Sequence, residues 1–264
     1  MGLVGLEIAI MKKTTLIIMC KFPQAGRTKT RLGKEIGMGR AANLFRLMTR
    51  KVISTALQVQ LENPSLHIVL AVDPAFRINE PISCWIGANR RIAQTGGDLG
   101  RRMTNAIKEV QKSGGEGVGF RQHRGSGQIF KSKNKMRRQH LLGGVRGTYK
   151  INPSRQGSFI LIGCDAPQMT KHHLHSALAA LTSHDVVIGP AEDGGYWLIG
   201  GPNPNIVAGL FSSVRWSSKH TLKDTIKNCP KGSHIATIET LRDIDEIQDF
   251  KMVGFKCLAR TYRA

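Results

Sequence analysis

The sequence predicts a Rossmann-like α/β domain, with a mostly parallel sheet and helices on both faces. Three observations predict it. Short apolar runs alternate along the chain with longer segments of helical period. The runs end on Pro, Gly or Asp, which stop strands and open loops. The length of 264 residues and a hydrophobic share of 41% suit one α/β domain with a real core.

The elements follow in order. Thr14–Cys20 (TTLIIMC) reads as a buried strand, followed by the basic loop KFPQAGRTKTRLGK. Leu44, Met48, Val52, Ala56 and Val59 recur at spacings of three and four, one apolar stripe of a long helix. Asn63-Pro64 stops it. Leu66–Val72 is a second strand, and Arg91–Gln94 a short third. Asp98 is placed to cap a helix that turns Leu99, Met103, Ala106, Ile107 and Val110 to one side. Phe159–Ile162 is a strand. Thr170 caps a helix carrying Leu174, Ala177, Leu178 and Leu181. Val186–Ile188 and Tyr196–Ile199 are short strands. Ser217 or Ser218 caps a helix with Leu222 and Ile226, Ile235–Ile238 is a last strand, and Ile247 and Phe250 lie on a closing helix.

Residues 113–157 break this order. They are rich in Gly, Ser, Lys and Arg, without sustained period, and hold ten Lys and Arg against one acid, Glu116. Structureless loops of this length are unusual inside a compact domain, so the stretch reads as an insertion into a single domain spanning 1–264. The formal net charge is +21, and this stretch supplies much of it. Such charge suits polyanionic partners: nucleotides, sugar phosphates, nucleic acid or acidic lipid.

Several function classes are excluded. The cysteines are scattered without zinc-like spacing. The first residues lack the order of a signal peptide, and no apolar run approaches the roughly 20 residues of a membrane span. A cytoplasmic location is expected, with Met11 an alternative start. GxxxxGK[ST], GxSxG and HExxH are all absent, and His172, His173 and His175 read as surface histidines.

In parallel sheets ligands bind beyond the carboxyl ends of the strands, so the loops there are the candidate sites. The first brings Lys21, Arg27, Lys29 and Arg31 into twelve residues around Gly26, a pattern suited to phosphates. The second places Asp165 just past an apolar strand, where a carboxylate needs a charge partner or a metal; Mg²⁺ or Mn²⁺ suits such oxygens. The third, PAEDGGYW, reads either as a tight turn or as a place where Glu192 or Asp193 meets a ligand. In the fourth, Asp243 and Asp245 flank Ile244, so an extended backbone points both the same way. Asp245-x-x-Gln248 also resembles a helix capping box.

Together these segments resemble, in order, the motifs of a bacterial GT-A glycosyltransferase-like family of the arsenosugar-biosynthesis type. They are KFPQAGRTKTRL, GDLGRRM, LIGCDAP, GPAEDGGYWLIG, Arg215-Trp216-Ser217 and LRDIDEIQDF. That family is similar to the guanylyl- and cytidylyltransferases of cofactor biosynthesis. The resemblance covers residues 12–112 and 158–250. It implies a GT-A fold binding a nucleotide diphosphate, with Mg²⁺ or Mn²⁺ nearby. By matched position, Gly26, Lys29, Arg31 and Asp98 would bind the nucleotide. Asp165, Asp243 and Asp245 would hold the metal, and Asp193 and Asp165 would be catalytic. Glu246-Ile247 depart from the usual Thr-Pro of the closing motif, Cys164 and Ala166 depart around Asp165, and the insertion is foreign to the pattern.

Three functions follow as expectations. The first is glycosyl transfer from a nucleotide-diphospho-sugar to a small acceptor. The second is nucleotidyl transfer from an NTP to a phosphorylated small molecule, releasing pyrophosphate. The third is a non-catalytic scaffold whose basic insertion binds nucleic acid or a partner.

Overall fold

The computed structural model describes residues 13–81, 85, 87–88, 90–112, 157–202 and 209–253. The basic stretch 113–156, and with it the expectation of a nucleic-acid or scaffold contact there, lies outside the described residues.

Strand β1 is Thr14–Lys21. Two helices follow, α1 (Thr30–Ile36) and α2 (Met38–Glu62). Next come β2 (Leu66–Asp73), β3 (Arg90–Ala93) and α3 (Leu99–Lys112). After the basic stretch the chain forms β4 (Ser158–Ile162), α4 (Lys171–Ala180), β5 (Val186–Pro190) and β6 (Tyr196–Gly201). It closes with α5 (Thr221–Lys227), β7 (Ile235–Thr237) and α6 (Ile247–Val253).

These strands make one seven-stranded sheet in the order β3-β2-β1-β4-β6-β5-β7. β1 pairs in parallel with β2 on one side and with β4 on the other, Ile18 lying opposite Leu70 and Ile162. β2–β3 and β5–β7 are also parallel. Only β6 runs the other way, antiparallel to both β4 and β5. The expected mostly parallel α/β sheet is therefore present, with one reversed strand.

Alternate residues of the central strands feed two cores, as a pleated sheet covered on both faces requires. Leu16, Ile18 and Leu70 pack with Phe45, Val52 and Ala56 of α2 and Leu174 of α4. Ile17, Val69 and Leu161 pack with Met103, Ala106 and Ile107 of α3. A third, smaller cluster joins Leu32, Ala41, Leu44 and Met48 to Ile244.

Four local expectations change. Part of the expected basic loop is helical, because Leu32 finds a buried place in the third cluster. The last long loop is capped differently: His220, not Ser217 or Ser218, precedes α5, and it makes no side-chain cap. Ile226 of α5 is 40% exposed rather than core. His173 is buried, with Nδ1 accepting the Thr170 N–H at 2.9 Å and Nε2 lying 2.8 Å from Glu239 Oε2. The Asp98 cap is present as expected, its Oδ1 accepting the Arg101 N–H at 2.7 Å.

Leu70 is wholly buried at the centre of β2. Leu70→Ala should cost about 2–5 kcal/mol, the range for a core leucine whose cavity does not collapse. Urea denaturation checks it.

Candidate active site

A cleft of about 440 Å³ opens at the carboxyl edge of β1, β4 and β5. Its walls carry both cations and carboxylates. Lys21 ends β1, Arg27, Lys29 and Arg31 follow it, and Arg102 comes from α3. Asp165 follows β4, Asp193 sits in the turn between β5 and β6, and Asp243 and Asp245 precede α6. The pairing of β1 with β4 explains why the first two sets meet: both strands end at this edge.

Each carboxylate is positioned by its backbone. Ile244 is buried in the third cluster, and its N–H donates to the Asp165 carbonyl at 3.0 Å. That anchor holds Asp243 and Asp245 beside Asp165. The capping reading of this segment changes in its partner: Asp249, not Gln248, accepts from the backbone N–H groups of Asp245 and Glu246, at 3.1 and 2.9 Å. Asp193 Oδ1 accepts the Gly195 N–H at 2.8 Å, so the Asp-Gly-Gly segment is a tight turn and a cleft wall at once. Gly194 is needed there. Its φ is +86°, and a Cβ would lie 2.6 Å from the Lys219 carbonyl oxygen.

The segment around Trp216 crosses from this turn to α3. Trp216 rests on Gly100, where an added Cβ would come within 2.7 Å of the indole. Arg215 is clamped by Asp224, its Nε and Nη2 each donating to a carboxylate oxygen at 2.8 Å. The GDLG and Arg-Trp-Ser segments are thus parts of one wall.

The electrostatic centre is Lys29. Its side chain is only 5% exposed, and its ammonium forms ion pairs with Asp165 and, at 2.7 Å, with Asp245. Burial alone would lower its pKa. The two carboxylates outweigh burial and hold it above the usual lysine range. Asp243 has the opposite fate. Burial first, then the charge of Asp165, with Asp193 and Asp245 adding, push its carboxyl up to about 7 against the pull of Lys29. Burial also works against ionised Asp245, but Lys29, Arg31 and Lys21 hold its pKa below the usual range.

The expected site residues divide accordingly. Lys29, Arg31, Asp165, Asp193, Asp243 and Asp245 all line the cleft. Asp98 does not. It is exposed and engaged in capping α3. Gly26 lies in the turn before Thr28, outside the lining residues. Trp197 is mainly core, its Nε1 donating to the Glu239 carbonyl at 3.0 Å.

Gln94 and Arg102 are among the lining residues not singled out from the sequence. Gln94 is buried and donates to the carbonyls of Cys20 and Ala71, at 3.1 and 2.8 Å. Arg102 Nη1 lies 3.4 Å from Gln94 Oε1 and 3.6 Å from Asp73 Oδ2, and its Nε is buried without a hydrogen-bond partner. A polar residue closing the short strand RIAQ was the available signal for Gln94; for Arg102 it was its place in the GDLGRRM motif.

Hard oxygen donors suit Mg²⁺ or Mn²⁺, and burial together with the neighbouring charge of Asp165 leaves Asp243 a carboxyl that a cation would favour in its ionised form. The donor chemistry therefore fits a divalent cation. As placed, however, no three His, Cys, Asp or Glu side chains among the described residues converge on one metal position. The Lys29 ammonium stands between two of them instead.

Comparison with known proteins agrees with the architecture. A family profile described as "Uncharacterized protein conserved in bacteria (DUF2064)" matches residues 135–218. That span includes the Asp165, Asp193 and Trp216 segments. No curated protein matches the chain. A crystal structure from Desulfovibrio desulfuricans G20, provisionally named a nucleotide-diphospho-sugar transferase, is similar at 22% identity and a TM-score of 0.66. The match covers 93% of this chain and 88% of that one. A 4-diphosphocytidyl-2C-methyl-D-erythritol synthase from Anaerococcus prevotii DSM 20548 matches at 9% identity, covering 96% of this chain and 99% of that one, with a TM-score of 0.47. Rv0371c from Mycobacterium tuberculosis H37Rv, solved with manganese, matches at 11% identity, covering 92% and 97%, with a TM-score of 0.44. The chain shares the α/β fold of the first of these structures. No described helix is long and apolar enough to cross a membrane.

The crowding of Asp243 has a measurable consequence. Its folded pKa of about 7 lies above the unfolded value near 3.9. The folded state therefore holds the extra proton between those values, and this group's contribution to stability falls as pH rises through them. Asp243→Asn should raise the melting temperature by several degrees at pH 8 and change it much less at pH 3.5, when the carboxyl is mostly neutral in both states.

Proposed function

We propose that the protein transfers a glycosyl group from a nucleotide-diphospho-sugar to a hydroxyl of a small acceptor. The observation that carries this reading is a cleft of about 440 Å³ in which cations from the β1–α1 segment and α3 stand among four aspartates. A diphosphate is the group that needs both kinds of side chain: basic ones for its oxygens, and carboxylates for a metal that it shares. The transferase-like fold supports the reading.

The residues would divide the work as follows. Arg31 is 65% exposed at the rim, 3.4 Å from Asp245 Oδ2 and 3.6 Å from Glu246 Oε1, and would turn from these carboxylates toward a phosphate. Arg102 offers its unpaired Nε and the rest of its fork from α3. Asp165, Asp243 and Asp245 would hold Mg²⁺ or Mn²⁺, which would offset charge developing on the departing diphosphate. Asp193 sits on a turn fixed by Gly194 and by its own bond to Gly195. It would take the proton of the acceptor hydroxyl as that oxygen attacks the anomeric carbon. The bond from that carbon to the diphosphate oxygen breaks, and a nucleoside diphosphate leaves. Trp216 beside the cleft gives the acceptor an apolar face to lie against.

Nucleotidyl transfer from an NTP is the second reading. The number of cations favours it: Lys21, Arg27, Lys29, Arg31 and Arg102 all line the cleft, and a triphosphate carries more charge than a diphosphate. The leaving group separates the two. Nucleoside diphosphate released from a nucleotide sugar supports glycosyl transfer; pyrophosphate released from an NTP supports nucleotidyl transfer.

Under either reading Asp165→Asn should lower turnover at least about 100-fold. Initial rates with a donor that the wild type consumes provide the check. Undiminished rates would remove Asp165 from the chemistry.

A further inference from the structure

A buried ammonium occupies the place where the proposed metal ligands meet. Lys29 is paired with Asp165 and Asp245, two of the three candidate ligands, and its side chain is almost wholly covered. The backbone sets this up. Lys29 has φ 50° and ψ 47°, a left-handed conformation that a residue with a Cβ seldom adopts. Its carbonyl then accepts the first helical bond of α1 from the Gly33 N–H, at 2.8 Å. The turn between β1 and α1 therefore aims this one side chain down into the acidic cluster, while Arg31, two residues on, stays 65% exposed at the rim. Phe45 lies along the buried stem, its ring centre 5.9 Å from Nζ.

The charges make this position consequential. Asp165, Asp193, Asp243 and Asp245 line the cleft, and among the described residues the cation buried between them is Lys29. A divalent cation entering this cluster would meet an ammonium already bound to two of its ligands. Both cannot share the same oxygens at short distance, because like charges a few ångströms apart repel strongly in a partly buried site.

We propose that Lys29 is a resident counter-ion that the metal displaces, its ammonium passing from Asp165 and Asp245 to the phosphate oxygens that arrive with the metal. The proposal rests on the reading of the cleft as a metal-assisted nucleotide site and adds a coupling to it. Metal alone must expel a buried ammonium that has no anion to receive it. Nucleotide alone meets a lysine already engaged. When both enter, the carboxylates exchange an ammonium for a metal ion and the ammonium exchanges carboxylates for phosphate. Each ligand then assists the other, as linkage requires. The acidic cluster stays neutralised between turnovers, and free metal is discouraged from occupying it without a donor.

The test is calorimetric titration of the full chain with Mn²⁺ alone, without nucleotide. Lys29→Met removes the competing ammonium and keeps the buried stem, so it should bind Mn²⁺ at least tenfold more tightly than the wild type. Lys29→Arg keeps the charge and should stay near the wild type. Lys29→Gln is the substitute should the methionine variant fail to fold, with the same tenfold gain expected. Equal Mn²⁺ affinity in the wild type and the neutral variant would overturn the displacement, whatever nucleotides bind. A tenfold gain in a protein that binds no nucleotide would instead uphold the displacement and overturn the transferase reading.

Discussion

The parallel pairing of β1 with β4 is the constraint on which the rest depends. It joins segments far apart in the chain, with Thr14 opposite Ser158 and Ile18 opposite Ile162. The pair is closely seated, for the thiols of Cys20 and Cys164, just past the paired stretch, lie 3.5 Å apart and fully buried. Because both strands run the same way, their following loops leave from one edge. One loop is basic and the other carries Asp165. No property of either loop alone creates a site; the register of two apolar strands does.

From that edge the remaining parts follow by anchoring. Ile244 is held in the small cluster with Leu32 and Met48, and it fixes Asp243 and Asp245 next to Asp165. Reversal of β6 brings the β5–β6 turn, and so Asp193, to the same end of the sheet. Trp216 packs on Gly100 and Lys219 on Gly194, so one segment braces both flanks. The result gathers like charges, which is costly in a partly buried place. Asp243 records the cost in its raised pKa, and Lys29 partly relieves it. Such a concentration of unfavourable charge is expected where binding or catalysis, rather than stability, sets the sequence.

Much of this was legible beforehand. Strands such as Thr14–Lys21 and Leu66–Asp73 are written in local hydrophobicity, and the α2 stripe in helical period. Asp165, Asp193, Asp243 and Asp245 could be placed at the carboxyl edge because each follows or flanks an apolar run. What could not be read depends on distant partners. The reversal of β6 is a property of pairing, and a short apolar run carries no direction. The helicity of Thr30–Ile36 depends on the burial of Leu32 beneath α2. Asp98 has a motif-like setting, yet its carboxylate is used by its own helix. Lys29 looked like a phosphate ligand beside Arg31, and only the fold reveals that its ammonium is already held by residues far along the chain.

The central claim is that this acidic and basic cleft takes a nucleotide together with a divalent metal. The most direct measurement compares melting temperatures of the wild type and of Asp165→Asn. The panel is UDP-, GDP-, ADP- and CDP-sugars and the four NTPs, each with and without Mn²⁺. The account predicts that at least one nucleotide raises the wild-type value in the presence of Mn²⁺, that the rise shrinks without metal, and that Asp165→Asn abolishes it. No rise with any nucleotide, or the same rise in the variant, would contradict the account.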